Sequence, residues 1–149
     1  RAQSDAVLFE FGPSRQRKLE IREDIRRWDP SLRTLLQILL TLTYYRLQRP
    51  VKDLPPKVAE AVIAFNTDIA RTAQLMADEV CGTPPGPAPD LLASATRLEG
   101  EIRKYFADRG LSISPLAADV VTLTRNLASI LVPLSGDMRV AFASNRHAI

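Results

Sequence analysis

Apolar residues recur at helical spacing through most of this 149-residue sequence, and this periodicity limits its fold more than any other feature. In the clearest stretch the apolar positions are three or four residues apart: Val58, Val62, Phe65, Ile69, Ala73, Met76 and Val80. Such steps place all of them on one face of a helix with 3.6 residues per turn. The same pattern recurs from Leu91 to Tyr105 and from Leu116 to Leu134. The only strand-like piece, Val7 to Phe11, has no second strand to pair with, so we predict an all-α fold.

Prolines and glycines indicate where these helices begin and end. Asp29-Pro30 and Ser114-Pro115 each place a capping side chain before a proline at the first helical position. Gly82 and Gly110 suit the left-handed conformation that often ends a helix. We therefore predict an up-down antiparallel bundle of about five helices, because the connections are short. The predicted helices lie near 14–28, 31–49, 56–81, 90–109 and 115–132, with a short sixth after Gly136.

Length and composition predict a single domain over residues 1–149. With 46% hydrophobic and 25% charged residues, the composition is that of an ordinary globular chain. Residues 1–13 are expected to form an extended or irregular leading segment packed on the bundle, and residues 83–89 a proline-rich surface loop. Charged residues interrupt the apolar stretches before they reach the length of a membrane span, so this part of the chain is expected to be soluble.

The sequence offers little for catalysis or metal binding. His147 is the only histidine and Cys81 the only cysteine, too few for a structural zinc site. An enzyme would need His147 folded back onto the bundle, or a carboxylate pair such as Asp78-Glu79 lining a cleft. Such pairs are more typical of a solvated helix face. We expect no metal, no cofactor and no enzymatic activity.

Basic residues are concentrated near the predicted helix ends. If the five helices alternate in direction, one pole of the bundle gathers ten of them: Arg15, Arg17, Lys18, Arg46, Arg49, Lys52, Lys57, Arg103, Lys104 and Arg109. Such a pole can face the phosphates of anionic lipid headgroups, although basic residues at helix ends also simply complement the helix dipole. A net charge of +3 and the lack of any nucleic-acid motif disfavour nucleic acid as a partner. The residues predicted to contact a membrane surface or another anion are Arg15, Arg17, Lys18, Arg46, Arg49 and Lys52.

The run AVLFEFGPSRQRKLEIREDIRRWDPSLRTLL carries a family resemblance. An apolar segment with Phe9-Glu10 is followed by Pro13 and Arg15, then by a basic helix and a long leucine-rich helix. This order resembles the soluble region of bacterial fusaric-acid-resistance-like inner-membrane proteins, in the aromatic acid exporter superfamily. The resemblance covers the chain up to Pro50.

That resemblance implies a place in a larger membrane protein. Proteins of this family are membrane permeases or efflux components in which transmembrane blocks alternate with cytoplasmic helical domains. The expected function is that of a non-catalytic domain at the cytoplasmic face of the bacterial inner membrane, acting in assembly or regulation. Its expected partners are the rest of a membrane-embedded chain and anionic lipid headgroups, and a homo-oligomer stays open.

A second hypothesis is a free-standing soluble helical bundle that binds a small apolar or aromatic ligand, or a protein partner. The pocket for a small ligand would lie between Leu39, Tyr44, Phe65 and Phe106.

Overall fold

The computed structural model describes residues 14–146, with side chains for residues 18–143. It contains four α-helices: α1 Ser14–Gln48, α2 Pro56–Cys81, α3 Leu91–Ala107 and α4 Pro115–Arg146. A 3-10 turn at Val51–Asp53 connects α1 to α2. No strand occurs within residues 14–146, so the predicted all-α class is confirmed. The predicted leading segment, residues 1–13, lies outside the described residues.

The prediction of a helix boundary at Asp29-Pro30 is wrong, because α1 continues through Pro30 to Gln48. A proline inside a helix removes one backbone hydrogen bond. Side chains reinforce this turn, since Arg33 Nε donates to Asp29 Oδ2 at 2.7 Å and the Thr34 hydroxyl donates to the Pro30 carbonyl at 3.0 Å. The helix also buries Trp28 before the proline and Leu35 after it. Packing on both sides of Pro30 keeps the two segments in one helix.

The predicted end of the last helix near residue 132 is also wrong. Helix α4 runs through Pro133 and Gly136, so the region after Gly136 is its continuation and not a separate sixth helix. Leu134 and Met138 extend its buried face, and the Phe142 ring lies 6.0 Å from that of Trp28 on α1. Contacts with α1 thus continue beyond the predicted end.

Several helix ends follow the local sequence signals. Gly82 has a φ of 75° directly after α2, and Gly110 a φ of 64° after α3. The Asp90 side chain accepts a hydrogen bond from the Ala93 amide at 3.0 Å, which caps the start of α3. The Ser114 hydroxyl accepts one from the Ala117 amide at 3.2 Å at the start of α4. Capping chemistry therefore fixes the positions of α3 and the start of α4.

Helices α2, α3 and α4 pack together as a three-helix unit, and α1 packs along α4. The buried core includes Phe65 of α2, Leu98 of α3 and Leu127 of α4. The last residues of α1 lie at the same end of the molecule as the first residues of α2 and α4 and the last of α3. We call this end the cavity end.

The continuous α1 helix separates basic residues that were predicted to share one pole. Lys18 and Arg46 are 28 residues apart on this helix, which corresponds to about 42 Å at 1.5 Å per residue. Arg46, Arg49 and Lys52 lie at the cavity end, and Lys18 lies toward the opposite end. The side chains of the other two predicted contact residues, Arg15 and Arg17, are outside the described ones. The prediction of a single basic pole is therefore wrong.

Candidate ligand-binding cavity

A cavity of about 240 Å³ lies between the four helices at the cavity end. The walls contributed by α2 and α3 are almost entirely apolar, and their main side chains are Val58, Val62, Phe65, Leu98, Ile102 and Phe106. Small-molecule sites in proteins have this character, an apolar enclosure with a few placed polar groups. The cavity is therefore a candidate site for a small molecule.

The chain between α1 and α2 closes one side of the cavity. Helix α1 ends at Gln48, Pro50 is extended with a ψ of 149°, and the next residues form the 3-10 turn, in which the Asp53 amide donates to the Pro50 carbonyl at 2.9 Å. Val51 and Leu54 contribute apolar side chains from this connection. The turn thus places apolar groups across the gap between the end of α1 and the start of α2.

Asn66 brings an amide into this apolar lining. It lies ten residues after the first residue of α2, about 15 Å along the helix. Its Nδ2 atom is buried, and no hydrogen-bond partner for it is present among the described residues. An unpaired buried donor costs about 1–3 kcal/mol. A ligand oxygen that accepted from Asn66 would remove that cost.

Two arginines line the cavity near the end of α1. Arg46 and Arg49 are exposed, and neither makes an ion pair within the described residues. Asp53 is the one acidic residue in the lining. An exposed arginine pair beside an apolar cavity favours an anionic group on a ligand that enters from this side.

Tyr105 is held in the wall by Arg109. The Arg109 guanidinium lies 3.7 Å from the centroid of the Tyr105 ring and donates a hydrogen bond to the Tyr105 carbonyl at 3.0 Å. The ring also makes an edge contact with Phe106, with 5.3 Å between centroids. Arg109, predicted as a member of the basic pole, thus positions an aromatic wall of the cavity.

The structure brings together part of the predicted pocket. Phe65 and Phe106 line the cavity, whereas Leu39 and Tyr44 lie on an exposed face of α1 and are 38% and 58% exposed. Tyr45, one residue later, lines the cavity in place of Tyr44. The side chains of successive residues in an α-helix point about 100° apart, so the adjacent tyrosines face different surroundings.

The predicted pocket included neither Asn66 nor Tyr45, although the two adjacent tyrosines beside Arg46 had been considered as pocket residues. Asn66 follows Phe65 directly, and a polar side chain beside an apolar stripe was the one available signal. The predicted anion contacts Arg46 and Arg49 do lie together, at the cavity, and Lys52 follows in the 3-10 turn.

The cavity lining holds groups for binding more than groups for reaction. Its titratable side chains are Tyr45, Tyr105, Arg46, Arg49 and Asp53. Among residues 14–146, no group of three or more His, Cys, Asp and Glu side chains could hold a metal ion. The exposed Cys81 ends α2, away from the cavity, and His147 lies outside the described residues. This arrangement can hold an amphipathic molecule.

Part of α4, Pro115–Ala143, is long and apolar enough to cross a membrane, by its length and composition alone. Core helices of soluble proteins can be equally long and apolar, so this one helix is weak evidence for a membrane span.

Comparison with protein-family profiles, with curated proteins and with solved structures finds no match. The resemblance to exporter-like proteins therefore stays an expectation, and function is argued from the geometry.

Proposed function

We propose that this chain is a non-catalytic helical domain that binds a small amphipathic organic acid. The observation that best supports this proposal is the mostly apolar cavity with Arg46 and Arg49 in its lining. The apolar walls can hold the hydrophobic part of a ligand, and the arginines offer positive charge to its carboxylate. The Asn66 Nδ2 atom, which has no partner in the part of the chain that the structure describes, adds a donor for a ligand oxygen.

The cavity volume suggests the size of the ligand. An apolar cavity of about 150 Å³ suffices for benzene. The volume of about 240 Å³ fits a substituted or fused aromatic ring, or an aliphatic body of similar size. Because the arginines are exposed, each should contribute only about 0.5–1 kcal/mol, and the apolar body should supply most of the affinity.

Calorimetric titration with naphthoate tests this proposal, with naphthalenemethanol as a neutral probe of the same body. We expect naphthoate to bind more tightly than the alcohol. Val120→Trp places a large side chain in the lining of the cavity on α4 and should abolish binding of both. Val132→Trp, on an exposed part of α4, is the matched control and should bind like the unmodified protein.

Two results would contradict the proposal. One is the absence of heat with both probes for a protein that circular dichroism shows to be folded. The other is equal binding by the unmodified protein and a folded Val120→Trp variant, which would put the ligand elsewhere.

The second proposed function is that of a cytoplasmic domain of an inner-membrane transport or efflux protein, which acts in assembly or regulation. The exposed leucines of α1 support it, since a free-standing soluble domain rarely leaves so large an apolar surface uncovered. Fractionation of bacteria that make the natural full-length protein tests it. Recovery in the inner-membrane fraction is expected, and recovery entirely in the cytosol would contradict it.

A further inference from the structure

Helix α1 exposes an unusually large apolar surface. We call it the leucine face, and it consists of Leu32, Leu36, Leu39, Leu40, Tyr44 and Leu47. These side chains are between 38% and 78% exposed and lie within about 140° of the helix circumference. Single exposed leucines are ordinary, but a contiguous patch of this kind marks an interaction surface.

Within residues 18–143, no other part of the bundle covers the leucine face. Helix α1 packs on α4 through a different side, which buries Trp28, Leu35 and Ile38. Side chains of the leucine face therefore project from a single helix as a ridge and do not line a groove between two helices.

Charges around the leucine face are mostly positive. At 100° per residue, Arg22, Arg26 and Arg33 fall in the half of this sector that ends at Tyr44, and Arg46 lies near the other edge. Arg22 and Arg26 lie about two to three turns before Leu32 on the same helix. On the same turns, the acidic residues Glu20, Glu23 and Asp24 point more than about 100° away from the middle of the face. The exception is Asp29, whose carboxylate is paired with Arg33 at 2.7 Å.

We propose that the leucine face docks α1 on the surface of an anionic lipid bilayer, with the helix lying along the headgroup plane. Leucines on one face of a helix with basic residues beside them are what interfacial helices use, because the apolar side chains enter the acyl boundary while the basic ones meet lipid phosphates. Exposed Lys and Arg near such a surface each strengthen binding by roughly fivefold. A convex ridge suits a fluid surface, which needs no preformed groove.

The charge layout disfavours a second copy of the chain as the occupant. Two copies that met through the leucine face would bring Arg22, Arg26 and Arg46, which carry charges of the same sign, to one interface. Like charges across an interface oppose association. An anionic bilayer has no such conflict with the basic flanks.

Co-sedimentation with vesicles tests the proposal. The chain should bind vesicles of equal parts phosphatidylglycerol and phosphatidylcholine, and bind pure phosphatidylcholine far more weakly. Leu36→Gln with Leu40→Gln should weaken binding to the anionic vesicles by roughly tenfold or more. The matched control is Ile63→Gln with Leu92→Gln, which alters residues of similar exposure, 53% and 50%, on α2 and α3 and should leave binding unchanged.

Charge variants distinguish docking on anionic lipid from non-specific hydrophobic adsorption to vesicles. Arg22→Gln with Arg26→Gln should weaken binding to the anionic vesicles by roughly 25-fold at low salt. The control variant, Arg71→Gln with Arg97→Gln, removes the same charge from α2 and α3 and should have a much smaller effect. Val120→Trp should bind vesicles like the unmodified protein, since the cavity takes no part.

Three outcomes would overturn the proposal. The first is equal binding to anionic and neutral vesicles, and the second is no binding by a protein that circular dichroism shows to be folded. The third is a dimer in light scattering that Leu36→Gln with Leu40→Gln dissociates while vesicle binding persists, which would assign the leucine face to a second copy of the chain.

Discussion

At the scale of single residues, Arg46 and Arg49 supply the charge selectivity proposed for the cavity. Replacing both by Gln should weaken naphthoate binding by roughly five- to thirtyfold, on the basis of about 0.5–1 kcal/mol for each exposed charge. Binding of naphthalenemethanol should change little, because it carries no charge. Calorimetry with both probes measures the difference, and an equal loss for the two would show that these residues act on packing and not on charge.

Replacement by alanine should have opposite effects on stability at Gly82 and at Gly100. An added Cβ meets no atom within 4 Å at either Gly82 or Gly100, so only backbone conformation differs. Gly82→Ala should destabilise the fold by about 1–2 kcal/mol, since its φ of 75° is left-handed. Gly100→Ala, inside α3, should stabilise it by about 0.5–1 kcal/mol. Urea unfolding measures both, and changes of the same sign would contradict the assigned conformations.

Glu99 predicts a specific dependence of stability on pH. A hydrogen bond from Arg103 Nε, at 3.0 Å, lowers the pKa of Glu99 below the usual 4.5; partial burial opposes this, and contact with Arg125 on α4 reinforces it. A carboxylate with a lowered pKa stabilises the fold above its unfolded pKa, and that contribution is lost as the pH falls through the folded value.

Glu99→Gln should therefore cost about 0.5–1 kcal/mol near neutral pH. The difference from the unmodified protein should shrink as the pH falls below about 4.5. Urea unfolding across this pH range checks it. A difference that stayed constant with pH would contradict the role of the ionised carboxylate.

At the scale of the helices, the continuity of α1 is the feature most open to direct measurement. Spin labels at Glu23→Cys and Leu47→Cys, with Cys81→Ser, should give a distance centred near 36 Å, because 24 residues separate them on one helix. A helical hairpin at Asp29-Pro30 would instead bring the two labels to within about 20 Å. Electron–electron double resonance distinguishes the two distances.

The helix stripes could be predicted from the sequence, but the continuity of the two long helices could not. The spacing from Val58 onward predicts α2, and Ser114-Pro115 predicts the start of α4. Asp29-Pro30 carries the same local signal as Ser114-Pro115, yet here packing of Trp28 and Leu35 onto α4 overrides it. The outcome depends on partners distant in sequence, which a local pattern does not contain.

The sequence predicted which types of residue line the site, but not which residues of α1 face it. Phe65 and Phe106 were expected in a pocket, and Arg46 and Arg49 at an anion contact. The rotation of α1, which turns Tyr45 inward and Tyr44 outward, depends on how the helix packs on its neighbours. The face that α1 presents to α4 therefore decided which of its residues line the cavity.

At the scale of the whole molecule, α1 serves two surfaces. Its last turns line the cavity through Leu42 and Tyr45, while Leu36, Leu40 and Leu47 face outward. The two proposals share Arg46, which lies between the cavity and the leucine face, but their apolar side chains lie on different sides of this helix. A ligand in the cavity should leave the leucine face unaltered.

Methyl NMR of the chain titrated with naphthoate tests the central claim, that the cavity binds an amphipathic acid, most directly. The account predicts shifted methyl signals from Val58, Val62 and Val120, with the signals of Leu36 and Leu40 unchanged. A spectrum without shifts, or with shifts confined to the leucine face, would contradict it.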